Sequence, residues 1–267
     1  MNDASHPHRP AAPVQRADSR AIAVLTLNRP ERYNVLSRQV LELLHRELDA
    51  IAADPSVRVV VVTGAGKAFC AGHDLREMQS LPGEEVAALF ELCSALMQKV
   101  TALPQPVIAA VNGTATAAGC QLVAQCDLAV ASTEARFAVS GVNLGLFCST
   151  PAVPLSRNIA RKHAAEMLFT GEFIDAPTAL AWGLVNRVVP CADLMAAVDQ
   201  LAQKLLAKPR EVLALGKALF YRQMERSMQG AYEDASCTIS ENMTREVARE
   251  GVQAFLEKRK PEWEKKK

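Results

Sequence analysis

Apolar residues recur along this chain at two different spacings, and the changes of spacing mark out its elements. The run Ile22-Ala-Val-Leu-Thr-Leu27 reads as a strand. From Ser37 the period becomes helical. Val40, Leu41, Leu44, Leu48 and Ile51 follow a 3.6-residue repeat, Ser37 is a suitable N-cap, and Asp54-Pro55 stops the helix. Val57 to Thr63 is rich in Val with one charge, Arg58, as expected of a strand buried on both faces. A loop of small residues runs from Gly64 to Asp74. A helix is predicted over 84–101, between Pro82-Gly83 and Pro104. Val107–Val111 reads as a strand, Asn112 to Gly119 as a glycine-bearing turn into a short helix, and Asp127–Ala131 as another strand. Beyond residue 150 the pattern is helical over 151–160, 161–169, 176–182, 192–207, 209–228 and 230–256, with Leu184–Val189 the one strand candidate. Residues 1–20 hold Pro, His, Arg, Ser and Asp with few large apolar groups and read as a flexible tail. The pattern predicts an α/β core over 21–200 and a helical region over 201–267, with no internal repeat.

Composition narrows the function classes. With 267 residues, 49 % hydrophobic, 22 % charged and a net charge of +1, the chain has the make-up of an ordinary globular protein. It lacks the positive field that would neutralise nucleic-acid phosphates, so no nucleic-acid partner is expected. Val107 to Cys126 carries no charge for about the length of a membrane span. It contains Asn112, Gly113, Thr114, Thr116, Gln121 and Gln125, however, and reads as buried interior. No secretory leader pattern is seen, and Asp3 and Asp18 argue against a mitochondrial transit peptide. Seven cysteines at 70, 93, 120, 126, 148, 191 and 237 form no C-x-x-C pair and fall largely in apolar stretches. They read as reduced thiols of a cytoplasmic protein.

Two loops share one design. Gly64 to Asp74 and Asn112 to Gly119 each follow a buried strand, consist of small residues and lead into a helical pattern. Small side chains let a ligand approach the backbone, and free amides at a helix start attract partial negative charge. Two such amides aimed at one oxygen would form an oxyanion hole; tight turns without a ligand give the same pattern. Other motifs fail. The third glycine of a dinucleotide fingerprint would stand at 69, where the chain has Phe69. No phosphate-loop motif occurs, Ser140-Gly141 lacks the first glycine of a hydrolase elbow, and the five histidines have no metal-ligand spacing. His73 stands apart by lying in the first small-residue loop, beside Asp74.

At these loops the sequence resembles the crotonase, or enoyl-CoA hydratase/isomerase, family. The matching segments are Leu27-Asn-Arg-Pro-Glu-Arg-Tyr-Asn34, Val61-Val-Thr-Gly64, Lys67-Ala-Phe-Cys-Ala-Gly-His-Asp-Leu75, Pro106-Val-Ile-Ala-Ala-Val-Asn-Gly113, Ala118-Gly-Cys-Gln-Leu122, Cys126-Asp127, Leu168-Phe-Thr-Gly171, Ala181-Trp-Gly-Leu-Val185 and Ala254-Phe-Leu-Glu-Lys-Arg-Lys-Pro261. The resemblance implies a crotonase-like spiral of β-β-α turns over 21–200 and a C-terminal helical trimerisation region over 201–267, building a homotrimer or a dimer of trimers. It implies an acyl-CoA thioester as substrate, no cofactor beyond the coenzyme A of that substrate, and no membrane partner. The amides of His73 and Ala118 match the family's oxyanion hole, with Ala118 where Gly is usual. Ala71, His73, Asp74, Leu75 and Arg76 match the segment along the CoA chain. Arg32 matches a basic position near the CoA phosphates. Phe255 and Lys258 match C-terminal residues that approach CoA, in some relatives from a neighbouring subunit.

The departures concern acid–base chemistry. The two glutamates of the family's hydratases correspond to Gln121 and Gly141. A carboxamide exchanges no proton near neutral pH, and each general acid or base is worth about 10²–10⁴-fold. Ordinary hydration is therefore not expected of this chain. Downstream, Leu146-Phe-Cys-Ser-Thr150 offers no carboxylate, leaving Cys148 and Ser149 as polar groups. Ala71-Gly-His-Asp74 with Val142-Asn-Leu-Gly145 resembles the methylmalonyl-CoA decarboxylase branch, where His73, Ala118 and Ser140 would serve and where Cys148 replaces a tyrosine. Three readings stay open: an altered hydratase/isomerase-type lyase or isomerase, a decarboxylase-like enzyme, and a catalytically silent acyl-CoA-binding subunit.

Overall fold

A computed structural model describes residues 12–263. The first eleven residues of the expected tail lie outside that range. Residues 14–19 of it instead form a strand, β1 (Val14–Ser19), antiparallel to β2 (Ile22–Leu27). Its exposed polar positions hid it from a hydrophobic-pattern reading; backbone pairing to β2 holds it in place.

The remaining elements follow in order. They are α1 (Arg38–Ala53), β3 (Val59–Gly64), β4 (Ala68–Cys70), α2 (Leu75–Ser80), α3 (Gly83–Ala102), β5 (Val107–Val111), β6 (Thr114–Thr116), α4 (Ala118–Gln125), β7 (Leu128–Ser132) and β8 (Arg136–Ala138). Then come α5 (Ser149–Asn158), α6 (Arg161–Thr170), β9 (Ile174–Asp175), α7 (Ala176–Trp182), β10 (Arg187–Val189), α8 (Leu194–Leu206), α9 (Arg210–Met224), α10 (Met228–Thr244) and α11 (Glu246–Leu256). The expected helix over 230–256 is thus two helices, broken at Arg245, whose ψ of 148° is extended.

Two sheets build a spiral. One has six strands in the order β1-β2-β3-β5-β7-β10, parallel from β2 onward. The other has the order β4-β6-β8-β9. The pairs β3/β4, β5/β6 and β7/β8 each place one strand in the large sheet and the next in the small one, so every turn of the chain advances both sheets by one strand. This is the expected β-β-α spiral.

The buried strands explain the Val-rich runs. Val60 and Val62 face the main core with Leu25, Ala109 and the α1 residues Val40, Leu41, Leu44, Leu48 and Ile51. Val59 and Val61 face the opposite layer, where Ile108, Val130 and the α8 residues Leu194, Val198 and Ala202 pack. A strand with apolar neighbours on both sides has no polar alternation. Helix α8 crosses the expected boundary at 200 and covers this second face. Ser37 caps α1 by accepting from the Val40 amide at 3.4 Å. The uncharged stretch 107–126 is interior: all of β5 and Ala118 to Ala124 of α4 are buried. Among the described residues no helix is long and apolar enough to cross a membrane.

Helix α9 is held to the core by a buried ion pair. The Lys217 ammonium donates to Asp127 Oδ2 at 2.6 Å, to Val100 O at 2.8 Å and to Gln105 O at 2.9 Å. The same carboxylate accepts from the Val107 amide at 2.6 Å and from the Tyr221 hydroxyl at 2.7 Å. Burial lowers the lysine pKa while Asp127 pulls it back up.

Candidate active site

The two small-residue loops meet where β4 and β6 pair. Cys70 lies opposite Ala115, and the Thr116 hydroxyl donates to Ala71 O at 3.0 Å. Helix α4 begins against the first loop. A Cβ on Gly119 would stand 2.1 Å from Cys70 O, so only glycine lets the helix start this close. Gly72, at φ +91°, has the same function on the opposite side: a Cβ there would lie 2.9 Å from Ala117 Cβ, 3.2 Å from Thr116 O and 3.3 Å from Ala118 N. The peptide that carries the His73 amide is thereby packed against the start of α4. Gly72→Ala is expected to push the segments apart, costing about 1–3 kcal/mol of stability by overpacking and strain and weakening any ligand held between them. Chemical denaturation beside a ligand titration measures both.

Two amides are left over at this junction. Leu36 bridges the strand end by donating to Gly72 O at 2.7 Å and accepting from the Asp74 amide at 3.4 Å. In such a parallel bridge the N–H of the residue between, His73, faces the other way, away from Leu36. In α4 the Gln121 amide donates to Ala117 O, so the Ala118 amide, upstream of it, has no intrahelical acceptor. No side chain caps this helix, and its N-cap, Ala117, sits at φ 48°, ψ −119°. That backbone is costly for a residue with a Cβ, by about 1–3 kcal/mol. The surrounding contacts hold it and so fix where the Ala118 amide points.

The residues expected along CoA also gather. A cleft of about 450 Å³ is lined by Glu31, Arg32, Tyr33, Val35, Ala71, His73, Asp74, Leu75 and Arg76. Arg32 is paired, its Nη1 lying 3.3 Å from Asp74 Oδ2. Asp74 has a second task as N-cap of α2, accepting from the Arg76 and Glu77 amides at 3.1 and 3.4 Å. The His73 ring packs edge-on against Phe90 with 5.0 Å between centroids. Both of its nitrogens are buried, and burial lowers its pKa against a smaller opposing interaction with the Leu36 backbone. Loop 64–68, next to this site, is tied down by Asn34 and Asn112, two polar clamps that the sequence pattern did not single out. Asn34 donates to Ala65 O and Ala68 O at 2.9 and 2.8 Å, and Asn112 donates to Gly66 O at 2.9 Å.

Gln121 lies one turn into α4 from Ala118. It is 3 % exposed, and its Oε1 has no partner. Ser140 and Gly141 begin a short 3₁₀ turn, Ser140–Leu144. Gly141 donates to Cys148 Sγ at 3.3 Å. A Cβ at 141 would meet Leu146 O at 2.5 Å and Cys148 Sγ at 2.8 Å, so no side chain fits there while the 146–148 turn stays in place. Burial raises the Cys148 pKa, which keeps the thiol protonated and a poor nucleophile. Of the seven cysteines, five are buried while Cys191 and Cys237 are exposed.

Phe255 and Lys258 do not join this cleft within the chain. Phe255 is 81 % exposed, and α11 packs chiefly on α10. Lys258 follows it at φ 55°.

Comparison with known proteins gives the family. The family model described as enoyl-CoA hydratase/isomerase matches residues 17–266. The protein named "Enoyl-CoA hydratase domain-containing protein 3, mitochondrial" of Xenopus laevis is 44 % identical over 98 % of this chain and 90 % of its own length. A crystal structure of an enoyl-CoA hydratase from Mycobacterium smegmatis superposes with a TM-score of 0.92 at 54 % identity, covering 94 % of this chain and 98 % of that one. The human enoyl-Coenzyme A hydratase domain-containing protein 3 superposes with a TM-score of 0.90 at 43 % identity, covering 94 % of this chain and all of that one. The chain therefore belongs to the enoyl-CoA hydratase/isomerase family.

Proposed function

We propose that this chain binds an acyl-CoA thioester and stabilises its enolate through the amides of His73 and Ala118, without the acid–base pair that fast hydration needs. The observation that carries the reading is the junction of Gly72 with the uncapped start of α4, where two backbone donors lack an acceptor. Such donors, fixed before the ligand arrives, stabilise charge on an oxygen at no cost of reorganisation. The cleft lined by Arg32, Ala71, Asp74, Leu75 and Arg76 leads to that junction through His73 and would take the CoA moiety, its arginines meeting the phosphates. Phe255 and Lys258 would reach it only from another copy of the chain. The names of the relatives support a CoA thioester as ligand.

Position 121, one turn from the Ala118 amide, carries a carboxamide, and position 141 carries only a hydrogen. Water activation and α-proton transfer have no carboxylate at either place. The test pairs calorimetric titration with butyryl-CoA and an absorbance assay for crotonyl-CoA hydration. The expected result is saturable binding with hydration at least about 10²-fold below that of a hydratase carrying both glutamates. Rapid hydration would overturn the claim about positions 121 and 141, and absence of binding would overturn the thioester site.

A further inference from the structure

We propose that a second cleft, at the edge of the large sheet remote from the two amides, binds an alkyl carboxylate. The cleft, of about 720 Å³, lies between the turn that leads into β3, the α8–α9 connection and α11. Its volume falls within the range of small-molecule sites. Arg58 stands just before β3 and Pro104 three residues before β5, whereas the small-residue loops leave the same strands at Gly64 and Val111. Six residues of strand span about 20 Å, so this cleft is distinct from the junction of His73 and Ala118.

Charge and lining together define the ligand. Leu206, Pro209, Val247 and Trp263 give the cleft apolar walls, and Arg58, Lys208 and Arg210 supply cations. The Arg58 guanidinium donates to Lys208 O, and that of Arg210 donates to Pro55 O at 2.9 Å. These bonds to neutral carbonyls hold the two groups in place and leave their charge uncompensated. Among the described residues none of the three cations pairs with a carboxylate. The one acid in the lining, Glu211, is already engaged, 3.8 Å from Arg245. Arg58 Nε is buried with no hydrogen-bond partner. A buried donor without an acceptor is rare in folded proteins and costs stability. A carboxylate oxygen accepts from it in a charge-assisted bond, for which the arginine fork is suited. An alkyl chain on that carboxylate runs along the apolar walls, where each buried methylene adds affinity. A small inorganic anion would use the cations and leave the walls wet, and an uncharged alkyl chain would do the reverse.

The chain has two tryptophans, so Trp182→Phe leaves Trp263 as the one indole, and it reports on this cleft. The test titrates that full-length protein with decanoate, below its micelle concentration, and follows indole fluorescence. A saturable change is expected, and saturating butyryl-CoA should leave it in place. Decan-1-ol, which lacks the charge, and acetate, which lacks the chain, should each bind about tenfold more weakly or worse. Arg58→Gln should weaken decanoate binding about tenfold. Lys208→Glu should weaken it about fivefold or more. The Lys208 side chain is exposed, so this second variant decides the matter where Arg58→Gln disturbs the turn before β3. Absence of a saturable response overturns the proposal, as does decan-1-ol or acetate binding as tightly as decanoate. Displacement of decanoate by butyryl-CoA also overturns it, by placing the carboxylate in the thioester site. So does a decanoate affinity unchanged in Lys208→Glu.

Discussion

Gln121→Glu is expected to raise crotonyl-CoA hydration by about 10²-fold or more over the wild-type chain, the range that one positioned general acid or base supplies. The substitution exchanges an amide for a carboxyl of the same shape. The carboxyl takes the place of a side chain that is 3 % exposed and one turn from the Ala118 amide, so packing needs no adjustment. Burial raises the pKa of such a carboxyl. The group is protonated at low pH and becomes a base as pH rises through its elevated pKa, so the gain should grow with pH. A second glutamate at 141 is expected to subtract from the result, because its Cβ would stand 2.5 Å from Leu146 O and force the 146–148 turn outward. The assay follows loss of the conjugated thioester. A rate unchanged by Gln121→Glu, with crotonyl-CoA still bound, would show that position 121 does not face the acyl group.

The largest loss of stability is expected from Asp127→Asn. Asp127 and Lys217 have side chains 15 % and 7 % exposed, and they join the start of β7 to α9. Removing the charge from one partner of a buried pair costs about 3–5 kcal/mol, because the other charge stays buried and uncompensated. For a chain of this size each kcal/mol corresponds to about 2–4 °C in Tm. The Tyr221 hydroxyl and the Val107 amide would lose part of their acceptor as well. Asp127→Leu combined with Lys217→Met should cost less than Asp127→Asn alone, since the pair leaves together and no unpaired charge remains. Denaturant unfolding of the three variants measures the difference. A loss below about 1 kcal/mol in Asp127→Asn would show that the pair contributes little beyond a surface bridge.

How much of this was legible in the sequence depends on whether the signal was local. Helix α1 and strands β3 and β5 were plain because each presents one repeating contact to the core. Strands β4, β6, β8 and β9 are two or three residues long and were not readable. Their identity lies in pairing with residues far away, as in Cys70 with Ala115. Helix α2 is six residues long and was not predicted; its N-cap, Asp74, was read as the end of a loop. The break between α10 and α11 carries no Gly or Pro. Of the site, the small-residue loops pointed to free amides, but their assignment to one oxyanion hole came from resemblance rather than from spacing. The lack of room at Gly141 was invisible, because it is set by the Leu146 carbonyl and the Cys148 sulfur folding back over it. So was the Lys217–Asp127 pair, whose partners are 90 residues apart.

The most direct test of the account is the infrared carbonyl stretch of butyryl-CoA labelled with ¹³C at the thioester carbon, recorded free and bound. Two amide donors converging on one oxygen polarise the C=O bond, so the bound band should move to lower frequency, and the shift should shrink in Gly72→Ala. A bound ligand whose carbonyl band stays where it is in water would contradict the oxyanion hole at His73 and Ala118.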